Sequence, residues 1–314
     1  MNLLFIIDPP DSLKAYKDTT VSMMRAAQRR GHAVHVCGQE ALAWRGGAVM
    51  AQATRIALTD NDEDWYRSDG RERRDLTSCD AVLMRKDPPF DIEYVASTWL
   101  LSEAERQGAR VFNAPRALRD HNEKFAIAEF PEFTAPSLVT RDMDQLQAFV
   151  EEQRDTILKR LDGMGGSGIF RVRASDPNRN AIVETVAGMG GCSVMAQRYI
   201  PEIAKGDKRL LLIDGKPVPH CLARLAKPGE TRANLAAGGR GVAQPLSARD
   251  RLIAEALGPR LAARGLLLVG LDVIGDWLTE INVTSPTCFR EIQDQTGFDV
   301  AGMFIEALEA KVKA

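Results

Sequence analysis

The chain of 314 residues lacks several things, and each absence removes a class of function. It has no dominant charge. The 41 Lys and Arg against 43 Asp and Glu leave a formal net charge of -2, so no global field draws it onto nucleic acid, and an anionic ligand has to be met by a local cluster. Cysteine is scarce: Cys37, Cys79, Cys192, Cys221 and Cys288 are odd in number, scattered and without C-x-x-C spacing, which predicts free thiols in a reducing compartment rather than disulfides or a sulfur-bound metal. The histidines His32, His35, His121 and His220 include no pair at metal-binding spacing. No apolar run approaches the roughly 18 residues of a membrane span. The apolar stretch 3–7 is too short for a signal segment and ends at Asp8. Repeats and low-complexity tracts are also missing. The expectation is a cytoplasmic protein with no membrane and no nucleic-acid partner.

What is present reads as a folded globular chain, with 45% hydrophobic and 27% charged residues. At this length one core has usually stopped growing, so two or three domains are expected. The continuous apolar run 3–7 predicts a strand buried on both faces, 19–30 a helix closed by Gly31, and 33–37 a second strand; 80–85, 92–107 and 110–112 repeat the order. Residues 1–122 are therefore read as an N-terminal α/β domain with a parallel sheet. From 123 to 200 the pattern becomes a small α+β unit: a short helix, strands at 137–140, 156–160, 169–173 and 193–199, and helices at 142–152 and 181–187. Residues 201–314 hold strands at 208–214 and 216–224 around Asp214-Gly215, a helix at 248–264, strands on either side of Gly275-Asp276, and a final helix. That helix repeats Val300, Met303, Phe304, Ala307 and Leu308 as a packing stripe.

The run Gly163-Met-Gly165-Gly166-Ser167-Gly168 matches the dinucleotide fingerprint G-x-G-x-x-G, with Glu184 about 20 positions further on. That fingerprint requires a helix directly after the glycines, where its N-terminus meets pyrophosphate. Here Phe170 and Val172 alternate with Arg171 and Arg173, which predicts a strand. Strand, glycine turn and strand make a hairpin flap whose backbone N–H groups can close over nucleotide phosphates. No G-x-x-x-x-G-K-[ST] is present, so a phosphate lysine must come from elsewhere, and Lys159 is well placed. A surface hairpin with a glycine tip and a solvated lysine would use the same letters.

Glu280 and Asn282 lie two apart on a predicted strand and share a face. A three-residue or bulged connection at Gly275-Asp276 sets Asp272 opposite Glu280, whereas a strict two-residue turn sets it against Thr279. Two carboxylates and an amide oxygen suit Mg²⁺ held jointly with phosphates. The other reading is a solvent-facing polar strand. Ile281, Val283 and the apolar run 266–271 argue for a strand lining a cleft, and phosphoryl transfer becomes the leading chemistry.

Taken together, Lys124 in N-E-K, Lys159 ahead of the glycines, the strand Met195-Ala-Gln-Arg-Tyr-Ile200, and Asp272, Glu280 and Asn282 resemble the ATP-grasp ligases. Met84-Arg-Lys-Asp-Pro-Pro-Phe-Asp91, Asn234-Leu-Ala-Ala-Gly-Gly-Arg-Gly241 and Thr279-Glu-Ile-Asn-Val-Thr-Ser-Pro-Thr-Cys288 look like the bacterial type of glutathione synthetase, along essentially the whole chain. The resemblance implies an ATP-grasp fold in three parts: the N-terminal domain 1–122, a central lid domain 123–200 with the glycine loop, and a C-terminal catalytic domain 201–314. It places ATP between the last two. Lys124 and Lys159, with Gly163, Gly165, Gly166, Ser167 and Gly168, would hold phosphates. The backbone of Gln197, Arg198, Tyr199 and Ile200 would meet adenine, and Asp207 the ribose. Mg²⁺, or Mn²⁺ in its place, would sit on Asp272, Glu280 and Asn282.

The implied reaction joins γ-glutamylcysteine to glycine through an acyl phosphate and needs no protein nucleophile. Arg209 and Arg224 are candidates for stabilising the oxyanion, against the commoner fate of arginine, surface solvation. Arg85 is expected on a carboxylate of the dipeptide, since a guanidinium can grip it with two hydrogen bonds; the roles of Lys86 and Asp87 stay open. Ser285 and Thr287 are candidates for glycine. The stretch 226–241, with Gly229, Gly238, Gly239 and Gly241, reads either as a lid carrying Arg232 and Asn234 that keeps water from the acyl phosphate, or as a surface loop. Arg160 departs from the family pattern, where proline is expected. A homotetramer is also implied. The alternatives are another ATP-grasp carboxylate-amine ligase, a nicotinamide-dependent oxidoreductase using the same glycines, and a nucleotide-binding regulator without turnover.

Overall fold

The computed structural model describes residues 1–163, 168–226 and 238–314. Three sheets succeed one another along the chain. The centre of the first is parallel, with Asn2–Ile6 between Ala33–Cys37 and Ala81–Met84, and Val111–Phe112 beyond. Its first strand needs apolar residues on both sides because both faces are covered. Leu3 and Phe5 pack towards the helices Thr19–Arg29 and Val300–Lys313, while Leu4 and Ile6 pack towards Ile92–Arg106. Asp18 and Asp91 start two of these helices by accepting from the backbone N–H of Val21 and Tyr94.

This sheet is mixed rather than wholly parallel. Leu42–Arg45, Ala48–Leu58 and Tyr66–Asp75 add an antiparallel arm that hydrophobic pattern does not announce. The inward residues of Ala48–Leu58 include the small Ala51 and Ala53, and Tyr66–Asp75 is charged along most of its length and largely exposed.

The second sheet is antiparallel, in the order Ile169–Arg173, Asp155–Arg160, Val194–Arg198, Ser137–Thr140. Met143–Gln153 and Arg179–Val186 pack on it, and Leu146, Val150, Leu158, Val172, Val183 and Val194 form a separate small core.

The third sheet runs Arg240–Pro245, His220–Leu225, Asp207–Ile213, Leu268–Ile274, Trp277–Asn282. The strand expected over 216–224 is split into Lys216–Pro217 and His220–Leu225, because Pro217 and Pro219 cannot donate to a ladder. Asp214 and Gly215 turn the chain with φ of 48° and 73°, the positive pair of a two-residue hairpin turn. One face of this sheet packs under Ala248–Ala262 through Leu210, Leu212 and Leu257. The other packs through Leu211 and Ile213 with Phe289 and Phe304, so the first and third sheets share their cores while the second keeps its own. Val300, Phe304 and Leu308 are buried as the stripe predicts, each contributing about 1.5–3 kcal/mol. Phe289–Thr296 is a further helix that the sequence reading omits. The five cysteines are free, and no helix among the described residues is long and apolar enough to cross a membrane.

Candidate functional site

The last hairpin sets the acidic residues. A bulge after Asp272 leaves Thr279 out of step, so Asp272 pairs with Glu280 and Gly270 with Asn282. Opposite residues on a sheet face the same side, which puts both carboxylates and the amide in one row. The Asn282 Nδ2 donates to the Gly270 carbonyl at 3.4 Å, which leaves Oδ1 as the acceptor atom. The chemistry of this set fits a hard divalent cation, since every donor is an oxygen.

Beside it lies a buried ionic quartet. Arg209, opposite Asp272 in register, donates from Nε to Oδ1 at 2.6 Å and from Nη2 to Oδ2 at 3.2 Å. Arg224, opposite Asp207, reaches Asp207 Oδ2 at 2.6 Å and Asp272 Oδ2 at 2.9 Å. Gly270 makes this possible, since a Cβ there would stand 2.9 Å from Arg209 Cδ, in the path of the guanidinium. Burial alone would raise the Asp272 carboxyl, but the charges and hydrogen bonds of Arg209 and Arg224 hold it well below the usual carboxylate range. Burial, joined by the charges of Asp272 and Glu280, pushes Asp207 up to about 7 against the pull of Arg224. Asp207 Oδ1 is buried and has no partner among the described residues, so it is open to accept a hydrogen bond from a hydroxyl. Both arginines are thus interior groups, not solvated surface ones.

The lysines arrive from elsewhere. Lys159, at the end of Asp155–Arg160, crosses from the second sheet to the third, its Nζ 3.3 Å from both the Thr279 carbonyl and Glu280 Oε1. Lys124 is 3% exposed, with Nζ 2.5 Å from Glu123 Oε1 and 2.5 Å from the Gly163 carbonyl. Ile169–Arg173 pairs antiparallel with Asp155–Arg160, Ile169 against Lys159. A strand, not a helix, therefore follows the glycines, and the dinucleotide reading fails. Gly165, Gly166, Ser167, Arg232 and Asn234 lie outside the described residues; Gly163 and Gly168 flank the loop, Gly168 at φ 69°. Arg160 grips Asp162 through two bonds of 2.8 and 2.6 Å at the loop's root.

At the stretch expected to meet adenine, Arg198 N and Tyr199 N donate to Pro136 O and Asp155 O, both at 2.9 Å. Gln197 donates to Ser137 Oγ at 3.1 Å, and the Arg171 guanidinium lies 3.5 Å from the centre of the Tyr199 ring. Ile200 is buried. At the other end, Arg85 is buried and donates to Thr20 Oγ1 at 3.1 Å and to the Pro286 carbonyl at 2.9 Å, which joins it to the loop carrying Ser285 and Thr287. Lys86 pairs with Asp8 at 2.8 Å rather than with the Asp87 carboxylate. Sequence reasoning passed over Asn122 and Glu123, although the N-E-K tripeptide that drew attention to Lys124 contains both. With Asp162, Gly163, Phe90 and Thr284 they line a cavity of about 250 Å³.

Comparison with known proteins agrees along the chain. The family model for the prokaryotic glutathione synthetase N-terminal domain matches residues 1–119, and that for the prokaryotic glutathione synthetase ATP-grasp domain matches residues 123–297. The chain is similar to a glutathione synthetase of Ralstonia nicotianae, 62% identical over 309 residues that cover 98% of this chain and 95% of the relative. It is similar also to one of Bordetella parapertussis, 59% identical over 315 residues that cover 99% of each. In fold alone it is similar to the D-cycloserine synthetase DcsG, with a TM-score of 0.70 and 17% identity over 99% of both chains.

Proposed function

The chain belongs to the prokaryotic glutathione synthetase family and is an ATP-dependent ligase of the ATP-grasp fold; from that premise we propose that it joins γ-glutamylcysteine to glycine, giving glutathione, ADP and phosphate. The observation that carries this reading is the convergence at Glu280: Lys159 reaches it from the second sheet, and Asp272, locked between Arg209 and Arg224, stands opposite it in register. Cations for phosphate, oxygen ligands for a metal and guanidinium groups for an oxyanion meet there.

The cysteinyl carboxylate attacks the γ-phosphorus of ATP and ADP leaves; the glycine amine then attacks the acyl phosphate, and the tetrahedral intermediate expels phosphate. On this reading Lys124, Lys159 and the loop from Gly163 to Gly168, with Gly165, Gly166 and Ser167, bind phosphates. The backbone of Gln197, Arg198, Tyr199 and Ile200 meets adenine and Asp207 the ribose. Asp272, Glu280 and Asn282 would hold a divalent metal, read as Mg²⁺, whose charge would offset that of the phosphoryl oxygens. Arg209 and Arg224 steady the oxyanion from fixed positions. Arg232 and Asn234 keep water out, Arg85 takes a dipeptide carboxylate, and Ser285 and Thr287 meet glycine. The division at 1–122, 123–200 and 201–314, a homotetramer and a cytoplasmic setting belong to the same reading. The test is ADP release with Mg·ATP and γ-glutamylcysteine, with and without glycine, beside mass detection of the tripeptide. Glycine-dependent ADP together with tripeptide is expected; ATP binding without either product sends the reading to another carboxylate and amine pair.

A further inference from the structure

Residues 122–124 touch both sides of the site, yet the chemistry above uses only Lys124. Asn122 Nδ2 donates to the Leu161 carbonyl at 2.9 Å, at the root of the glycine loop, while its Oδ1 accepts from Lys124 N at 3.1 Å and Phe125 N at 3.0 Å. The Glu123 carbonyl accepts from Ile281 N at 2.7 Å, between Glu280 and Asn282. The segment therefore staples the loop root to the carboxylate strand. Within it the Lys124 ammonium, which has three N–H donors, places one on Glu123 Oε1 and one on the Gly163 carbonyl, each at 2.5 Å. With the side chain 3% exposed, water has little access to replace either partner. The Glu123 side chain is 23% exposed and borders the cavity of about 250 Å³, so its carboxylate has room to withdraw.

We propose that Glu123 is a positioning residue that holds the Lys124 ammonium at the loop root, and that nucleotide phosphate takes the ammonium by displacing this carboxylate. The inference rests on the reading of Lys124 as a phosphate ligand. Two effects then act against ATP in the ground state: a charge-assisted hydrogen bond must break, and an anion stands beside an incoming polyanion. Glu280, whose charge acts on both Glu123 and Lys124, adds to the repulsion. What the carboxylate supplies in return is placement, since a lysine without it is free to take other rotamers.

Glu123→Gln keeps the shape and removes the charge. Titration of a non-hydrolysable ATP analogue with Mg²⁺ into Glu123→Gln, Glu123→Asp, Lys124→Ala and the parent protein, with steady-state turnover alongside, separates the possibilities. Expected is an affinity about tenfold tighter in Glu123→Gln, the size of one charge-assisted hydrogen bond, with a lower ATP KM and no gain in kcat. Lowered KM with unchanged kcat marks the removal of an interaction that opposes ATP in ground and transition states alike, a gain in uniform binding that a merely structural residue does not give. Glu123→Asp withdraws the carboxylate by one methylene and is expected to tighten binding by a smaller factor; it keeps the test open if Glu123→Gln does not fold. Weaker or unchanged binding in the folded Glu123 variants, with weaker binding in Lys124→Ala, overturns the inference alone. Unchanged binding in Lys124→Ala overturns the phosphate reading of Lys124, and the inference with it.

Discussion

Two hairpins meet at the site and place similar charges in opposite surroundings. In the glycine hairpin, Asp155–Arg160 with Ile169–Arg173, the ion pairs face outward: Arg160 and Asp162 are 37% and 62% exposed at the side chain, Arg171 and Asp155 27% and 30%. In the carboxylate hairpin, Leu268–Ile274 with Trp277–Asn282, Asp272 is 6% exposed and meets Arg209 and Arg224 at 8% and 6%. An exposed pair is worth about 0–1 kcal/mol because water competes for both partners. Removing one partner of a buried pair costs about 3–5 kcal/mol, because the charge left behind has nowhere to go. The glycine hairpin can therefore exchange partners cheaply, while the carboxylate hairpin holds its groups at fixed spacing. Phosphoryl transfer uses both properties, since a covering loop has to approach the nucleotide whereas oxyanion and cation ligands work best preorganised.

The largest expected effect comes from breaking the rigid side. Asp272→Asn leaves Arg209 and Arg224 with Asp207 as their remaining carboxylate in the quartet and should destabilise the protein by about 3–5 kcal/mol, read as a fall in the urea midpoint. A loss below about 1 kcal/mol would place this hairpin with the exposed one. Next is the lysine that joins the two. Lys159→Met keeps an unbranched chain at the buried position while deleting the charge near Glu280, and is expected to lower ATP turnover at least about a hundredfold. The urea midpoint should fall by less than in Asp272→Asn, because the Glu280 carboxylate left behind is 19% exposed and keeps access to water. Turnover near the parent level would count against Lys159 as a phosphate ligand.

The two hairpins also differ in how far they could be read from sequence. The glycine hairpin was visible because Phe170 and Val172 alternate with arginines, a period that belongs to strands, whereas its pairing of Ile169 with Lys159 comes from the structure. The carboxylate hairpin was legible in its strands but not in its register, which turned on one extra residue at Thr279 that no local pattern specifies. Neither the quartet nor the Lys159 contact is written in any short motif, because Asp207, Arg209, Arg224 and Asp272 come from three strands and meet only through tertiary register. The same limit hid Glu123, whose backbone partner Ile281 is remote in sequence, as is Gly163, the other partner of the Lys124 ammonium that Glu123 holds. In the first sheet the continuous run of Leu3 to Ile6 was plain, whereas Tyr66–Asp75, charged and exposed at an edge, offered no hydrophobic period at all.

The smallest expected effect sharpens the comparison from the exposed side. Hydrogen bonding to Arg160 is the main influence that lowers the Asp162 carboxyl below its ordinary value, with burial opposing it and the Arg160 charge adding to it. A folded-state value below the unfolded one means that the pair's contribution is complete above the unfolded value near 3.9 and is lost as pH falls through the folded value. Because Asp162 is 62% exposed, screening should hold that contribution to about 0.5 kcal/mol. Asp162→Asn is then expected to lower the urea midpoint slightly at neutral pH, by less in about 1 M salt, and not at all once the parent carboxyl is protonated in both states. This holds even though Arg160 replaces the proline expected at the root of the loop, since its two bonds to Asp162 are formed on the surface. A loss above about 2 kcal/mol in Asp162→Asn would mean that the loop root is held as firmly as the quartet, and the contrast between a yielding and a fixed hairpin would fall.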